Sequence, residues 1–309
     1  MVAPSGEIAP GEHDNYLLQR RALESWKHLN AELGDLGARP VTLHETGTLI
    51  VGWDASDRRQ IDQYLQVADE FGAPHVRQSR EMAPWHFTGL SDRIGEGVVM
   101  PEDAWLDPDE AVAVVCDTLA TLGVTLVHDT VLRVGGDSNG VVAETVSGRW
   151  RARRGILATG WAPLPDGVTS SGVHLVRPVR GVTARVQGLD RSDLATVRAL
   201  VRGRALYMVS RPGGYCVLGA SSDERAEPAV EVGELHRLLR DALDVVPDLE
   251  TATVIETRVG LRPASTDARP FFEVLTPSGW AWSTGHYRHG VTLAPLAALD
   301  AVAFVERHP

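Results

Sequence analysis

Three short segments of this chain combine residue types that could do chemistry. The first is Ile156-Leu157-Ala158-Thr159-Gly160-Trp161, an apolar strand running into small residues, which lets another body approach the backbone closely. It also reads as a plain strand end. The second is Val259-Gly260-Leu261-Arg262-Pro263, with an arginine at a strand end between glycine and proline. A guanidinium there pairs with a structural carboxylate or offers a two-pronged fork to an anionic ligand. The third is Ser283-Thr284-Gly285-His286-Tyr287-Arg288-His289-Gly290, followed by an apolar run from Val291. Strand, two-glycine loop and helix start together present free backbone N–H groups and a positive dipole end to whatever sits above them. The plainer reading is an ordinary strand-to-helix turn.

Other chemistries find no support in the residues. His286 and His289 form the one close histidine pair of the C-terminal region, with no third ligand in sequence, so no metal site is read. Gly95-Glu96-Gly97 has Met100 where a third glycine belongs and reads as a turn, not a dinucleotide phosphate loop. Lys27 is the single lysine, on a helix surface pattern, which removes Walker-type phosphate loops and pyridoxal Schiff bases. Cys116 and Cys216 stand alone, without a disulfide framework or zinc spacing, as expected of a protein in a reducing cytoplasm. With 30 Lys+Arg against 41 Asp+Glu the net charge is −11, which argues against binding to nucleic acid or an anionic membrane surface. No uninterrupted apolar run has the roughly 18 residues of a membrane span.

These segments need elements to position them. Apolar spacing predicts helices over 15–33, 57–71, 232–245 and 290–304. A further helix runs from Pro108 to residue 122, with Asp107 as its cap and Glu110 three residues on. Strands are predicted over 48–53, 97–100, 124–128, 131–134, 140–144, 155–159, 173–186, 205–210, 215–219, 253–259, 271–275 and 280–284. The runs from 131 to 159 have the look of a meander, and Pro212-Gly213-Gly214 reads as a hairpin loop. At 309 residues the chain is long enough for two domains of roughly 150 residues.

Taken in order, Gly285-His286-Tyr287-Arg288-His289-Gly290-Val291-Thr292-Leu293-Ala294-Pro295, Gly260-Leu261-Arg262-Pro263 and Ala158-Thr159-Gly160 resemble motifs of the D-amino-acid oxidase family of flavoproteins. Glu45-Thr46-Gly47-Thr48-Leu49, Pro178-Val179-Arg180-Gly181, Tyr207-Met208-Val209-Ser210-Arg211 and Val217-Leu218-Gly219-Ala220 agree. The likeness is greatest to the branch that oxidises glycine for thiamine biosynthesis. It implies an α/β (α+β) fold, with an FAD-binding domain over 1–40, 97–165 and 254–309. A substrate domain built on an antiparallel sheet would cover 41–96 and 166–253. The implied reaction is oxidative deamination of glycine or a small amine by hydride transfer to FAD, with oxygen reduced to hydrogen peroxide. Carried over residue by residue, Arg262 would clamp the substrate carboxylate, Tyr207 would hydrogen-bond it, and Arg288 would line the same pocket. Met1, Val131, Thr159, Gly160 and the loop from Gly285 through His286, Tyr287, Arg288, His289, Gly290 and Val291 to Thr292 would touch the cofactor. Hydride transfer from a neutral amine needs orientation more than a general base.

The resemblance leaves open a sarcosine or D-amino-acid oxidase, a dehydrogenase, and a chain without independent activity. Self-association into a homo-oligomer is compatible with it. Ser222 stands where glycine oxidases tend to carry a bulkier apolar residue, which opens the choice of amine. Met1-Val2-Ala3-Pro4 resembles the stretch that, in family members, follows a first strand, glycine turn, helix and acidic-ended strand. The expectation is therefore that this N-terminal dinucleotide-binding unit is missing and that Met1 is an internal methionine of a longer reading frame.

Overall fold

The structure, a computed structural model, describes residues 1–309 except 138, 173–174, 189–195, 268, 277–278 and 308–309. In chain order it holds α1 (His13–Asp35), β1 (Thr48–Gly52), α2 (Ala55–Phe71), β2 (Val76–Ser79), β3 (Glu96–Met100) and α3 (Pro108–Thr121). Then come β4 (Val131–Asp137), β5 (Gly140–Thr145), β6 (Arg149–Ala152), β7 (Gly155–Leu157), β8 (Val176–Gln187), β9 (Thr196–Val201), β10 (Arg204–Arg211) and β11 (Tyr215–Gly219). The chain closes with α4 (Val232–Val245), β12 (Thr253–Ser265), β13 (Phe271–Val274), β14 (Trp280–Thr284) and α5 (Gly290–Arg307).

Two compact units form. Unit one comprises Met1–Leu23, Val41–Ala111 and Arg180–Gly260; unit two comprises Glu24–Pro40, Val112–Val179 and Leu261–Pro309. This division groups 1–23 and 97–111 with the residues of 41–96, apart from the sequence expectation. The reason is pairing: β3 lies antiparallel to β1, and Val2 bridges Ala104.

Unit one is built on an eight-stranded sheet ordered β12-β8-β11-β10-β9-β1-β3-β2. Its one parallel contact among the registered pairs is β1 with β9, where Ile50 stands opposite Arg198. Alternation along the strands divides the sheet into two faces. Leu49, Val51, Ala199, Val201, Leu206, Met208 and Leu218 pack with Leu238, Ala242 and Val245 of α4. Ile50, Val98 and Met100 pack with Ile61 and Leu65 of α2. Helix α2 begins in a capping box between Asp54 and Asp57 and ends on Gly72 at φ 65°. The Asp57 carboxylate also accepts the amides of Arg202 and Gly203 at 2.9 and 2.8 Å, which stabilises the β9–β10 turn where Arg202 takes φ 53°.

Unit two holds two three-stranded sheets, β4-β5-β6 and β13-β14-β7. Its core comprises Val134, Val141, Leu157, Val168, Leu275, Trp280 and Trp282. Helix α5 carries Thr292, Leu293, Pro295 and Phe304 inward. The helical run Tyr287–Arg307 is long and apolar enough to cross a membrane by length and composition, a test that core helices also pass.

Several expected elements take another form. Residues 124–128 have the apolar alternation of a strand, yet they form none, and Val124, Leu126 and Val127 are exposed. Strand β7 leaves the meander and pairs in parallel with β14, Trp282 opposite Leu157; β6 takes its place beside β5. Strands β2 and β9 have no counterpart in the sequence reading, and the start of the predicted 173–186 strand lies outside the described residues. Strand β12 continues through Gly260-Leu261-Arg262-Pro263 to Ser265, so Arg262 lies inside a strand rather than at its end. Pro263 is tolerated because β12 is the sheet's edge strand. Gly97 sits in β3, where an added Cβ would stand 2.8 Å from the Ile50 carbonyl; this glycine serves a close strand crossing, not a phosphate.

Candidate functional site

In unit two, tertiary contacts bring the three sequence segments together. Thr284, at the end of β14, is buried, and its hydroxyl donates to the Gly160 carbonyl at 2.6 Å. Ala264 forms an antiparallel bridge with His286. Arg262 precedes Ala264 by two positions on β12, so both side chains leave the same face of the strand. Arg262, the Thr159-Gly160 turn and the loop after Gly285 therefore converge.

The loop is held in an uncommon backbone path. Gly285 takes φ 79°, and a Cβ there would come 3.0 Å from the Arg269 carbonyl and 3.1 Å from the Phe271 ring. Tyr287 takes φ 48°, a conformation that bulky residues rarely adopt. Its ring lies 4.8 Å under the Arg288 guanidinium, which also donates to the Tyr287 hydroxyl at 3.3 Å. A turn of 3-10 helix over Tyr287–His289 then runs directly into α5. Trp26 secures this start from a distance, its indole N–H donating to the Val291 and Thr292 carbonyls at 3.1 Å each.

The groups on offer are backbone N–H donors, a helix N-terminus with no acidic residue in its first turn, and small residues beside them. Around Gly160, at φ 64°, an added Cβ would meet nothing within 4 Å, and around Gly290 it would meet only its own loop's His286 at 4.0 Å. These glycines leave room for a flat body to lie against the backbone. Such a cradle fits a flavin ring, with Gly160, Gly285 and the turn over 287–292 as the residues that would hold it. His286 is half-buried, and burial lowers its pKa, the Asp300 charge opposing. Among the described residues no group of three or more ligating side chains could hold a metal ion around it or elsewhere.

The remaining predicted site residues fall elsewhere. Val131 opens β4 in register with Thr145, and no strand pairing or hydrogen bond among the described residues joins it to the loop. Met1 and Tyr207 belong to unit one. Tyr207 stands in register with Arg198 on β9 and with Gly219 on β11. Sequence reasoning missed Thr284, Trp26 and Ala264 as positioning residues. The hydroxyl of a strand-end threonine before a glycine was a signal for the first; the Trp26 bond spans 265 positions and had none.

Residues 2–303 match the family described as FAD dependent oxidoreductase (DAO). The glycine oxidase of Geobacillus kaustophilus is 28% identical over 222 residues, covering 70% of this chain and 58% of that protein. The match thus spans little more than half the length of that relative. A crystal structure of glycine oxidase from Geobacillus kaustophilus superposes with a TM-score of 0.84 at 24% identity, over 100% of this chain and 83% of the other. Iminodiacetate oxidase from Chelativorans sp. BNC1 gives 0.82 at 24% identity, over 100% and 84%.

Proposed function

The chain belongs to the FAD-dependent oxidoreductase family, whose cofactor is FAD, and from that premise we propose that the complete protein oxidises glycine or another small amine. The observation that carries this reading is the convergence, in one compact unit, of Arg262 with the glycine-lined loops around Gly160 and Gly285. Held by Gly160, Gly285 and the turn over 287–292, FAD would supply a two-electron acceptor for the hydrogen on the substrate's α-carbon, with oxygen as the final oxidant.

This chain's own residues orient and stabilise. Arg262 clamps the substrate carboxylate through its fork of N–H donors, and Tyr207 donates a hydrogen bond to the same group. Arg288 lines the pocket, its guanidinium held against the Tyr287 ring. The amides at the start of α5 favour negative charge on the cofactor ring. Met1, Val131 and Thr159 are proposed as further cofactor contacts.

The test is a titration of the purified protein with FAD, followed by peroxide release from glycine, sarcosine, D-alanine and iminodiacetate. Flavin absorbance at one equivalent with peroxide from one of these amines supports the proposal. Flavin-loaded protein that releases none from all four overturns it.

A further inference from the structure

Helix α5 carries a buried proline, Pro295, in its interior. Proline has no N–H, and its ring crowds the carbonyl four residues earlier, so that carbonyl loses its partner in the helical ladder and is pushed outward. Here it belongs to Val291, the second residue of α5. The missing donor comes from elsewhere in unit two: the indole N–H of Trp26 donates to the Val291 carbonyl at 3.1 Å and to the Thr292 carbonyl at 3.1 Å. The helical pattern offers Thr292 the amide of Leu296 but offers Val291 none, so Val291 is the residue that depends on the indole. Trp26 is itself buried, and its N–H needs an acceptor as much as the carbonyl needs a donor.

The bond falls on the turn that faces the cofactor. A peptide unit is planar and trans, so the Val291 carbonyl and the Thr292 N–H lie on opposite edges of one plane. Fixing the carbonyl on Trp26 therefore fixes the direction of the Thr292 N–H. Thr292 closes the 287–292 turn, whose amides form the flavin cradle.

We propose that Trp26 is a positioning residue for the cofactor: its indole replaces the N–H that Pro295 lacks and thereby aims the Thr292 amide at the flavin. The inference rests on the reading that FAD lies against the loop from Gly285 to Thr292.

The experiment is a fluorescence titration of FAD into the flavin-free full chain, with the flavin midpoint potential measured by dye equilibration on the loaded protein. Trp26→Phe keeps an aromatic ring but removes the N–H, and it is expected to weaken FAD binding at least about fivefold, the loss typical of one hydrogen bond. The midpoint potential is expected to fall, because a misdirected amide stabilises negative charge on the reduced ring less well. Pro295→Ala returns an amide to the Val291 carbonyl. In that background, adding Trp26→Phe is expected to change FAD affinity by less than about twofold, since the two residues serve one carbonyl and their effects are coupled. A merely structural role for Trp26 gives the same loss in both backgrounds, and that result overturns the proposal. Should Trp26→Phe alone fail to fold, the double variant decides: a folded, FAD-binding protein supports the proposal and an unfolded one overturns it. Wild-type protein that takes up no FAD overturns the reading of the site and this inference with it. Wild type and Trp26→Phe that bind FAD equally well, at the same potential, overturn this inference alone.

Discussion

Tyr207 lies directly across Gly219: a Cβ placed on Gly219 would stand 2.3 Å from Cζ and 2.4 Å from the hydroxyl oxygen of the phenol. The two residues are cross-strand partners of β10 and β11, so their side-chain positions share one face and compete for one space. Only glycine leaves room for the ring in this pose. Gly219→Ala is expected to swing the phenol away, destabilise the protein by about 1–3 kcal/mol as overpacking does, and raise KM for the amine at least about fivefold. Thermal denaturation and steady-state kinetics measure both; wild-type KM in a folded Gly219→Ala protein would show that Tyr207 does not hold the substrate.

Arg262 is expected to bind through the carboxylate, not the amine. Arg262→Met removes the fork and is expected to raise KM about tenfold to a hundredfold, the loss typical of a charge-assisted hydrogen bond. Arg262→Lys keeps the charge but not the paired geometry and should recover only part of it. Amines that lack a carboxylate should be indifferent to either change, and that comparison separates clamping from general damage.

Thr284 couples the two glycine loops. Thr284→Val preserves the shape of the side chain but leaves the Gly160 carbonyl without its 2.6 Å donor, at an expected cost of about 1–2 kcal/mol. FAD affinity should fall severalfold in the same variant, read by flavin fluorescence titration. A variant that loses stability but binds FAD normally would mean that the two loops meet the cofactor independently.

Asp103 gives unit one a pH dependence. Burial pushes its pKa up from 3.8 to about 6, against the pull of the Thr48 hydroxyl, the Ser5 and Gly6 amides and the Arg198 charge. The native state therefore holds this proton more tightly than the unfolded chain does. Stability from this group is greatest below the unfolded pKa, falls as pH rises through the window from about 4 to about 6, and is level above it. About two pH units at ~1.4 kcal/mol each make the span roughly 3 kcal/mol. Asp103→Asn retains an oxygen for the Ser5 amide, which the native carboxylate accepts at 2.9 Å, and is expected to flatten that part of the profile. Denaturant unfolding at several pH values across the window checks the slope.

Much of the architecture is legible along the chain. Strands β11 and β14 and helix α4 have the bounds that periodicity predicts, because alternation and helical spacing are local properties. Asp107 ahead of Pro108 and Gly72 after Phe71 mark helix ends for the same reason. Where a strand depends on its neighbour, local pattern misleads. Residues 124–128 have the pattern but no partner among the described residues, while β9, interrupted by Arg198, is a strand because β1 and β10 flank it.

The sequence by itself determined the residue types of the chemistry: an arginine in Gly-Leu-Arg-Pro, glycines at Gly160 and Gly285, and a helix starting at Gly290. It also determined the family, through the order of those motifs. Only the tertiary structure decided that Ala264 faces His286, that Thr284 reaches Gly160 and that Tyr207 shares a sheet face with Arg198. The physical reason is register. A strand pair can slide by a residue with little change in local preference, so the buried faces and the closure of long loops choose among pairings that the local sequence leaves nearly equal.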